Sequence, residues 1–89
     1  MGRQFKQPGG AAFKLWVSYK DGGRASLHSR DWNGSKYLPR DGLLQLERYV
    51  ASKSHLIRTA LIYDKRGGGD RLVRKYTRGS WTVRETIGF

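Results

Sequence analysis

The residues best suited to chemistry in this chain are cations interleaved with aromatic side chains, all within its first 30 positions. Cations bind phosphate groups and flat rings stack on unpaired bases, so this mixture is typical of a nucleic-acid site. The alternative interpretation is an ordinary solvated sheet face, on which Trp16 merely packs against lysine stems. The first candidate site consists of Lys14, Trp16, Lys20, Arg24, His28 and Arg30.

A second group of cations surrounds the glycine run 67–69. A flexible loop with basic residues at its base suits a groove or a phosphate backbone. It is not a Walker-type phosphate loop, because the Gly-Lys-Ser/Thr ending is absent and no helix is predicted to follow. The alternative is a solvated hairpin tip whose charges prevent edge-to-edge aggregation. The second candidate site consists of Lys65, Arg66, Arg71, Arg74 and Lys75.

The chain offers little for catalysis or metal binding. It has no cysteine, and its two histidines, His28 and His55, lack a metal-ligand spacing with a carboxylate pair. We therefore expect no catalytic residues, no metal and no cofactor. A small metal-free RNase or toxin-like protein is kept as an alternative, with His28 as general acid or base and a phosphate clamp from Arg24, Arg30 or Arg74.

The element expected to position the first site is an alternating strand that begins at Phe13. Apolar residues recur there with the two-residue period of a strand with one buried face. Asp21-Gly22-Gly23 then predicts a hairpin, and a return strand is expected from Arg24 to about Arg30.

The register of that hairpin is predicted from the apolar pattern. A two-residue loop would place Arg24 opposite Tyr19 on the apolar face. A three-residue loop instead pairs Tyr19 with Ala25 and Val17 with Leu27, and we expect this register.

A loop and a helix are predicted next. Residues 31–40 contain Asn-Gly and a proline, which indicate a loop. Its aromatics, Trp32 and Tyr37, are interpreted either as a stacking shelf or as anchors of the loop on the core. Asp41 is the expected N-cap of a helix from Gly42 to Ser52 or Lys53. Its apolar stripe, which should pack on the sheet, consists of Leu43, Leu46 and Val50.

Two further strands are predicted after the helix. The run 56–63 is rich in strand-forming residues, but the pattern does not decide which parity faces inward. A strand from 71 to about 77 follows the glycine loop, and 80–84 is either a short edge strand or an extended tail. The predicted fold is therefore a small α+β domain of ββαββ order, with an antiparallel sheet, one helix on one face and a possible short fifth C-terminal strand.

Length and composition predict one domain. At 89 residues with 37% hydrophobic residues, the chain can bury one thin core. We expect a flexible basic arm at 1–12, a single domain at 13–84 and a C-terminal tail at 85–89. There is no apolar run long enough for a membrane span and no signal-peptide stretch, so a cytoplasmic protein without membrane contact is expected.

The charge distribution predicts the class of partner. Lys and Arg outnumber Asp and Glu by 18 to 7, a formal charge of +11, and the excess lies outside residues 41–53. Clustered cations attract polyanions and raise encounter rates. Non-enzymatic binding of DNA or RNA is the expected function, and an interaction module for an acidic protein is a further alternative. Monomer and homodimer both stay open.

Overall fold

The computed structural model describes residues 11–89, and its first element is the alternating strand predicted at Phe13. Phe13, Leu15 and Val17 are fully buried, whereas the residues between them are partly exposed. The elements in chain order are β1 (Phe13–Tyr19), β2 (Arg24–His28), β3 (Trp32–Asn33), β4 (Lys36–Tyr37), α1 (Pro39–Ser52), β5 (Ile57–Asp64), β6 (Arg71–Thr77) and β7 (Ser80–Val83).

Five of the strands form one antiparallel sheet in the order β2-β1-β5-β6-β7. The helix packs on one face of this sheet, with Leu43, Leu46 and Val50 buried against it as predicted. The predicted α+β fold is confirmed, including the short C-terminal strand, now β7. The helix of the described chain is neither long nor apolar enough to cross a membrane.

The predicted register of the first hairpin is wrong by two residues. Val17 pairs with Ala25, and the Tyr19 N–H donates to the Gly23 carbonyl at 2.8 Å, which leaves Lys20 to Gly22 as the loop. Gly22 has φ +97°, and its N–H donates to the Tyr19 carbonyl at 3.0 Å. A turn followed by a left-handed residue is a common three-residue hairpin loop. Because the error is an even number of residues, the predicted buried face is unchanged.

The segment 31–40, predicted to be a plain loop, contains the small hairpin of β3 and β4. Trp32 pairs with Tyr37, and their ring centroids lie 5.1 Å apart. Both side chains are exposed, by 38% and 46%. They therefore pack on each other at the surface rather than in the core.

The helix begins at Pro39, so the prediction of Asp41 as N-cap is wrong. Leu38 occupies the N-cap position and makes no side-chain capping bond. Proline suits the first helical turn, because its φ is already helical and its missing N–H would have no partner there. Asp41 instead lies in the first turn, where a carboxylate complements the positive end of the helix dipole. The predicted end at Ser52 is confirmed.

Strand β5 contacts the core through Ala60 and Ile62, which settles the parity that the sequence left open. A bulge lies between the pair formed by Ser18 and Thr59 and the pair formed by Tyr19 and Ile57. It returns Ile57 to the core face, three residues before Ala60. A second bulge lies between β5 and β6, where Val73 is buried.

The two ends of the described chain pack against the same region. Ala12 is buried, its N–H donates to Asp31 Oδ2 at 2.7 Å, and its carbonyl accepts the Lys65 N–H at 2.8 Å. Packing therefore starts one residue before Phe13, and residues 1–10 of the predicted arm lie outside the described residues. In the predicted tail, Phe89 contacts Phe13, with ring centroids 6.1 Å apart.

Candidate nucleic-acid interface

The helix covers one face of the five-stranded sheet, and we call the opposite face the open face. Its residues follow from the strand registers, because directly opposite residues share a face. On β1, Lys14 pairs with His28 on one side and Tyr63 on the other. Trp16 likewise pairs with Leu61. The open face consists of Lys14, Trp16, Ser18, Arg24, Ser26, His28, Thr59, Leu61, Tyr63, Leu72, Lys75, Thr77, Ser80 and Thr82.

Two aromatic rings lie at the centre of the open face. Trp16 faces Leu61, two residues before Tyr63, which makes Trp16 and Tyr63 diagonal neighbours at about 7–8 Å. Both are partly exposed. With Lys14 and Asp70 they line a shallow depression of about 410 Å³. An exposed ring on a rigid strand is a suitable surface for stacking a planar group.

Four members of the first candidate site come together on this face, namely Lys14, Trp16, Arg24 and His28. Lys20 lies in the adjoining turn. Arg30 is elsewhere, beside Trp32 and Leu38 in a recess near the start of the helix.

The second candidate site is divided between the two faces. Lys75 pairs with Leu61 and so belongs to the open face. Arg74 pairs with the buried Ile62, and its Nε lies 3.7 Å from Glu47 of the helix. Arg71 also lies on the helix side, opposite Asp64.

Arg66 and Arg71 form ion pairs with a buried carboxylate, Asp64. Arg66 donates through Nε at 3.0 Å and Nη2 at 2.8 Å, and Arg71 donates through Nη2 at 3.1 Å. The Arg66 guanidinium also lies near two rings, 5.1 Å from the centroid of Phe13 and 5.2 Å from that of Phe89. These two arginines therefore stabilise the base of the glycine loop.

The same contacts shift the ionisation of Asp64. The hydrogen bonds from the Arg66 side chain, followed by its backbone N–H and by Arg71, lower the pKa of Asp64 to about 2, although burial acts in the opposite direction. Charge-assisted hydrogen bonds stabilise the ionised form of a carboxyl group in this way. Asp64 is therefore ionised near neutral pH.

The cations of the open face are arranged differently. Within residues 11–89, no ion pair joins Lys14, Arg24 or Lys75 to an acidic side chain. Lys20, Arg30 and Lys65 are likewise without an ion pair in that part of the chain. Lys14, Arg24 and Lys75 are therefore available to an external anion at the open face.

The sequence prediction missed Tyr63, Leu61 and Leu72 as members of the open face. On β5 both parities carry large apolar side chains, so alternation alone does not separate a core face from an open face. The useful signal is the pairing of β5 with β1, which the sequence pattern does not reveal.

Of the groups proposed for an RNase, His28 and Arg24 share the open face, four residues apart on β2. Arg74 is on the helix side and Arg30 lies beside the small hairpin, so neither is placed with His28. Over residues 11–89 there is also no cluster of three or more His, Asp or Glu side chains that could hold a metal ion.

Comparison of the chain with models of protein families, with curated proteins and with solved structures gives no match. The fold and the open face therefore define a small basic α+β domain with one uncovered sheet face, and its function is argued from that surface.

Proposed function

We propose that this protein binds DNA or RNA, without catalysis, through the open face, and that it prefers unpaired strands. The observation that carries the proposal is the partly exposed Trp16 beside Tyr63, on a face whose cations Lys14, Arg24 and Lys75 form no ion pair with an acidic side chain in residues 11–89. Stacking supplies contacts that do not depend on sequence, because every base has a flat face.

The cations supply the second part of the binding free energy. Lys14, Arg24 and Lys75 lie around the two rings, where they can contact the phosphates on either side of a stacked base. Lys65, in the loop 65–70, is proposed as a further phosphate contact, whereas the Asp70 carboxylate of that loop borders the depression and would repel a phosphate. In a duplex the base faces are already stacked, and only the phosphate contacts persist.

The test compares single-stranded and duplex oligonucleotides by fluorescence anisotropy of a labelled strand. Trp16→Ala and Tyr63→Ala should each weaken single-strand binding by about 1–3 kcal/mol and leave duplex binding nearly unchanged. Trp32→Ala is the matched control, because Trp32 is an exposed tryptophan outside the sheet face.

Equal losses on single strands and duplexes would contradict stacking, and absence of binding at low salt would contradict the function. In that second case the alternative is an acidic protein partner, whose complex should persist beside competing nucleic acid. RNA cleavage that His28→Ala abolishes would support the RNase alternative. The cytoplasmic location stays a prediction from the sequence.

A further inference from the structure

A second cavity lies at the turn end of the sheet, on the side of the helix, and nothing in the proposed function uses it. It has a volume of about 440 Å³, within the range of cavities that hold small molecules. We call it the hydroxyl pocket; it is lined by Tyr19, Lys20, Asp21, Tyr49, Lys53, His55 and Leu56.

The inner wall of the hydroxyl pocket carries two phenol groups in contact. Tyr19 Oη and Tyr49 Oη are 2.6 Å apart, and either can be the donor. Each hydroxyl has one proton. Because one proton serves the bond between them, the other hydroxyl has a proton to donate to a ligand.

The Tyr19 hydroxyl remains protonated near neutral pH. The hydrogen bond with Tyr49, aided by burial, raises the pKa of Tyr19 above its ordinary value. Tyr19 is therefore a neutral group that can face an anion without charge repulsion.

The rim of the hydroxyl pocket is basic. Lys53 Nζ lies 5.9 Å from the centroid of the Tyr49 ring, and Lys20 lies on the turn. The one acidic residue of the lining, Asp21, already accepts the Gly23 N–H at 2.8 Å. His55 completes the titratable groups of the lining. Two ammonium groups against one carboxylate favour an anionic ligand, and a phosphate group matches ammonium and hydroxyl donors together.

From these contacts we infer that the hydroxyl pocket binds a nucleoside monophosphate, with the phosphate at Lys20, Lys53 and the free hydroxyl proton and the base against the tyrosine rings. The ligand is either a free nucleotide or the phosphorylated end of a bound strand. The second source rests on the proposed function, since Lys20 adjoins the end of the open face at Ser18 and Arg24.

The test is an NMR titration of the intact protein with adenosine 5′-monophosphate, adenosine and inorganic phosphate. The monophosphate should shift the amide signals around Tyr19, Tyr49 and Lys53, and adenosine or phosphate alone should bind at least about tenfold more weakly. Lys53→Gln should weaken monophosphate binding about tenfold, because a contact between charged groups is lost. Arg48→Gln, on the exposed side of the same helix, is the matched control and should not change it.

A second variant addresses the hydroxyl groups. Tyr19→Phe combined with Tyr49→Phe removes both protons while keeping both rings, and circular dichroism checks that the fold is retained. Binding by the double variant as tight as by the unaltered protein would overturn the role of the hydroxyls. No pocket shifts with millimolar monophosphate, or equal binding of inorganic phosphate, would overturn the inference.

The two sources are separated with oligonucleotides. A strand with a 5′- or 3′-terminal phosphate should bind more tightly than the same strand without it, and Lys53→Gln should remove the difference. If only the free nucleotide binds, the strand end is excluded. Trp16→Ala should leave monophosphate binding unchanged, so failure of the open face and failure of the hydroxyl pocket give different results.

Discussion

At the scale of single residues, the buried Asp64 holds two neighbouring arginines, Arg66 and Arg71, in ion pairs. A fully buried carboxylate is costly unless it is paired and hydrogen-bonded. Asp64 meets that condition through Arg66 and Arg71, and Arg71 also donates to Glu85 Oε1 at 3.1 Å. Cations that look alike in the sequence therefore differ in whether they can bind an external anion. This difference depends on a buried acid rather than on the cations themselves.

The ion pairs of Asp64 predict an acid-sensitive stability. Because the pKa of Asp64 is lowered to about 2 from an unfolded value near 3.9, its contribution is complete above about pH 4 and is lost as the pH falls toward 2. The shift corresponds to about 2 kcal/mol. Denaturant unfolding followed by circular dichroism between pH 2 and 7 measures it.

Two variants make that measurement specific. The Asp64→Asn variant should have a lower free energy of unfolding than the unaltered protein at pH 7. Between about pH 4 and pH 2 its free energy of unfolding should decline much less. Asp70→Asn, in the exposed loop, is the matched control and should follow the unaltered protein. If Asp64→Asn kept the same decline, other carboxyl groups would be its source.

A second prediction at the residue scale concerns Gly42, where a larger side chain is excluded by steric overlap rather than by backbone conformation. A Cβ at this position would overlap Asp31 Oδ1 and lie 2.9 Å from the Ser29 Cβ. Gly42→Ala should therefore destabilise the protein by about 1–3 kcal/mol, although alanine is the better helix former. Gly67→Ala, where nothing lies within 4 Å, is the control and should change the free energy of unfolding little. A more stable Gly42→Ala variant would show that the helix start moves freely.

At the scale of elements, the sequence predicts where the strands lie and which face of each is buried. It predicts less well which residues pair between neighbouring strands. The alternation in β1 and the stripe of α1 each bury one face, so their periods identify them. The hairpin register failed because Gly22 and Gly23 can both take a left-handed conformation, and only the fold selects Gly22. A shift by two residues leaves every side chain on its predicted face.

The candidate site was predictable on β1 and β2 and not on β5 and β6. The difference arises because both parities of β5 carry large apolar side chains, so alternation alone does not identify its open face. In β6, Arg74 pairs with Ile62 on the helix side, whereas its neighbour Lys75 faces outward beside Leu61. Counting charged residues along the chain does not show which of Arg74 and Lys75 lies on the open face.

At the scale of the whole molecule, the chain has a formal charge of +11, and within residues 11–89 the cations on the two sides of the sheet differ in their ion pairs. On the helix side Arg66, Arg71 and Arg74 contact acidic side chains. On the open face, Lys14 and Lys75 have no such contacts in residues 11–89. The partly exposed rings Trp16 and Tyr63 therefore share the open face with cations that form no ion pair in the described residues.

This division predicts which cations set the salt dependence of nucleic-acid binding. Lys14→Gln and Lys75→Gln should each lower the slope of log affinity against log salt by about 1, through loss of one phosphate contact. Arg74→Gln removes the same charge from the helix side and should leave the slope unchanged. Binding isotherms at four salt concentrations measure the slopes, and an equal decrease for all three variants would indicate attraction by net charge alone.

The three tryptophans of the chain lie in three different surroundings. Trp16 is on the open face, Trp32 contacts Tyr37, and Trp81 packs edge-on against Tyr76 at 5.1 Å. The fluorescence of the unaltered protein is thus the sum of three tryptophan signals, and only the Trp16 signal comes from the proposed stacking surface. Replacing Trp32 and Trp81 by phenylalanine would leave a single emitter at the proposed binding surface, so that its spectrum and lifetime record occupancy of that surface directly.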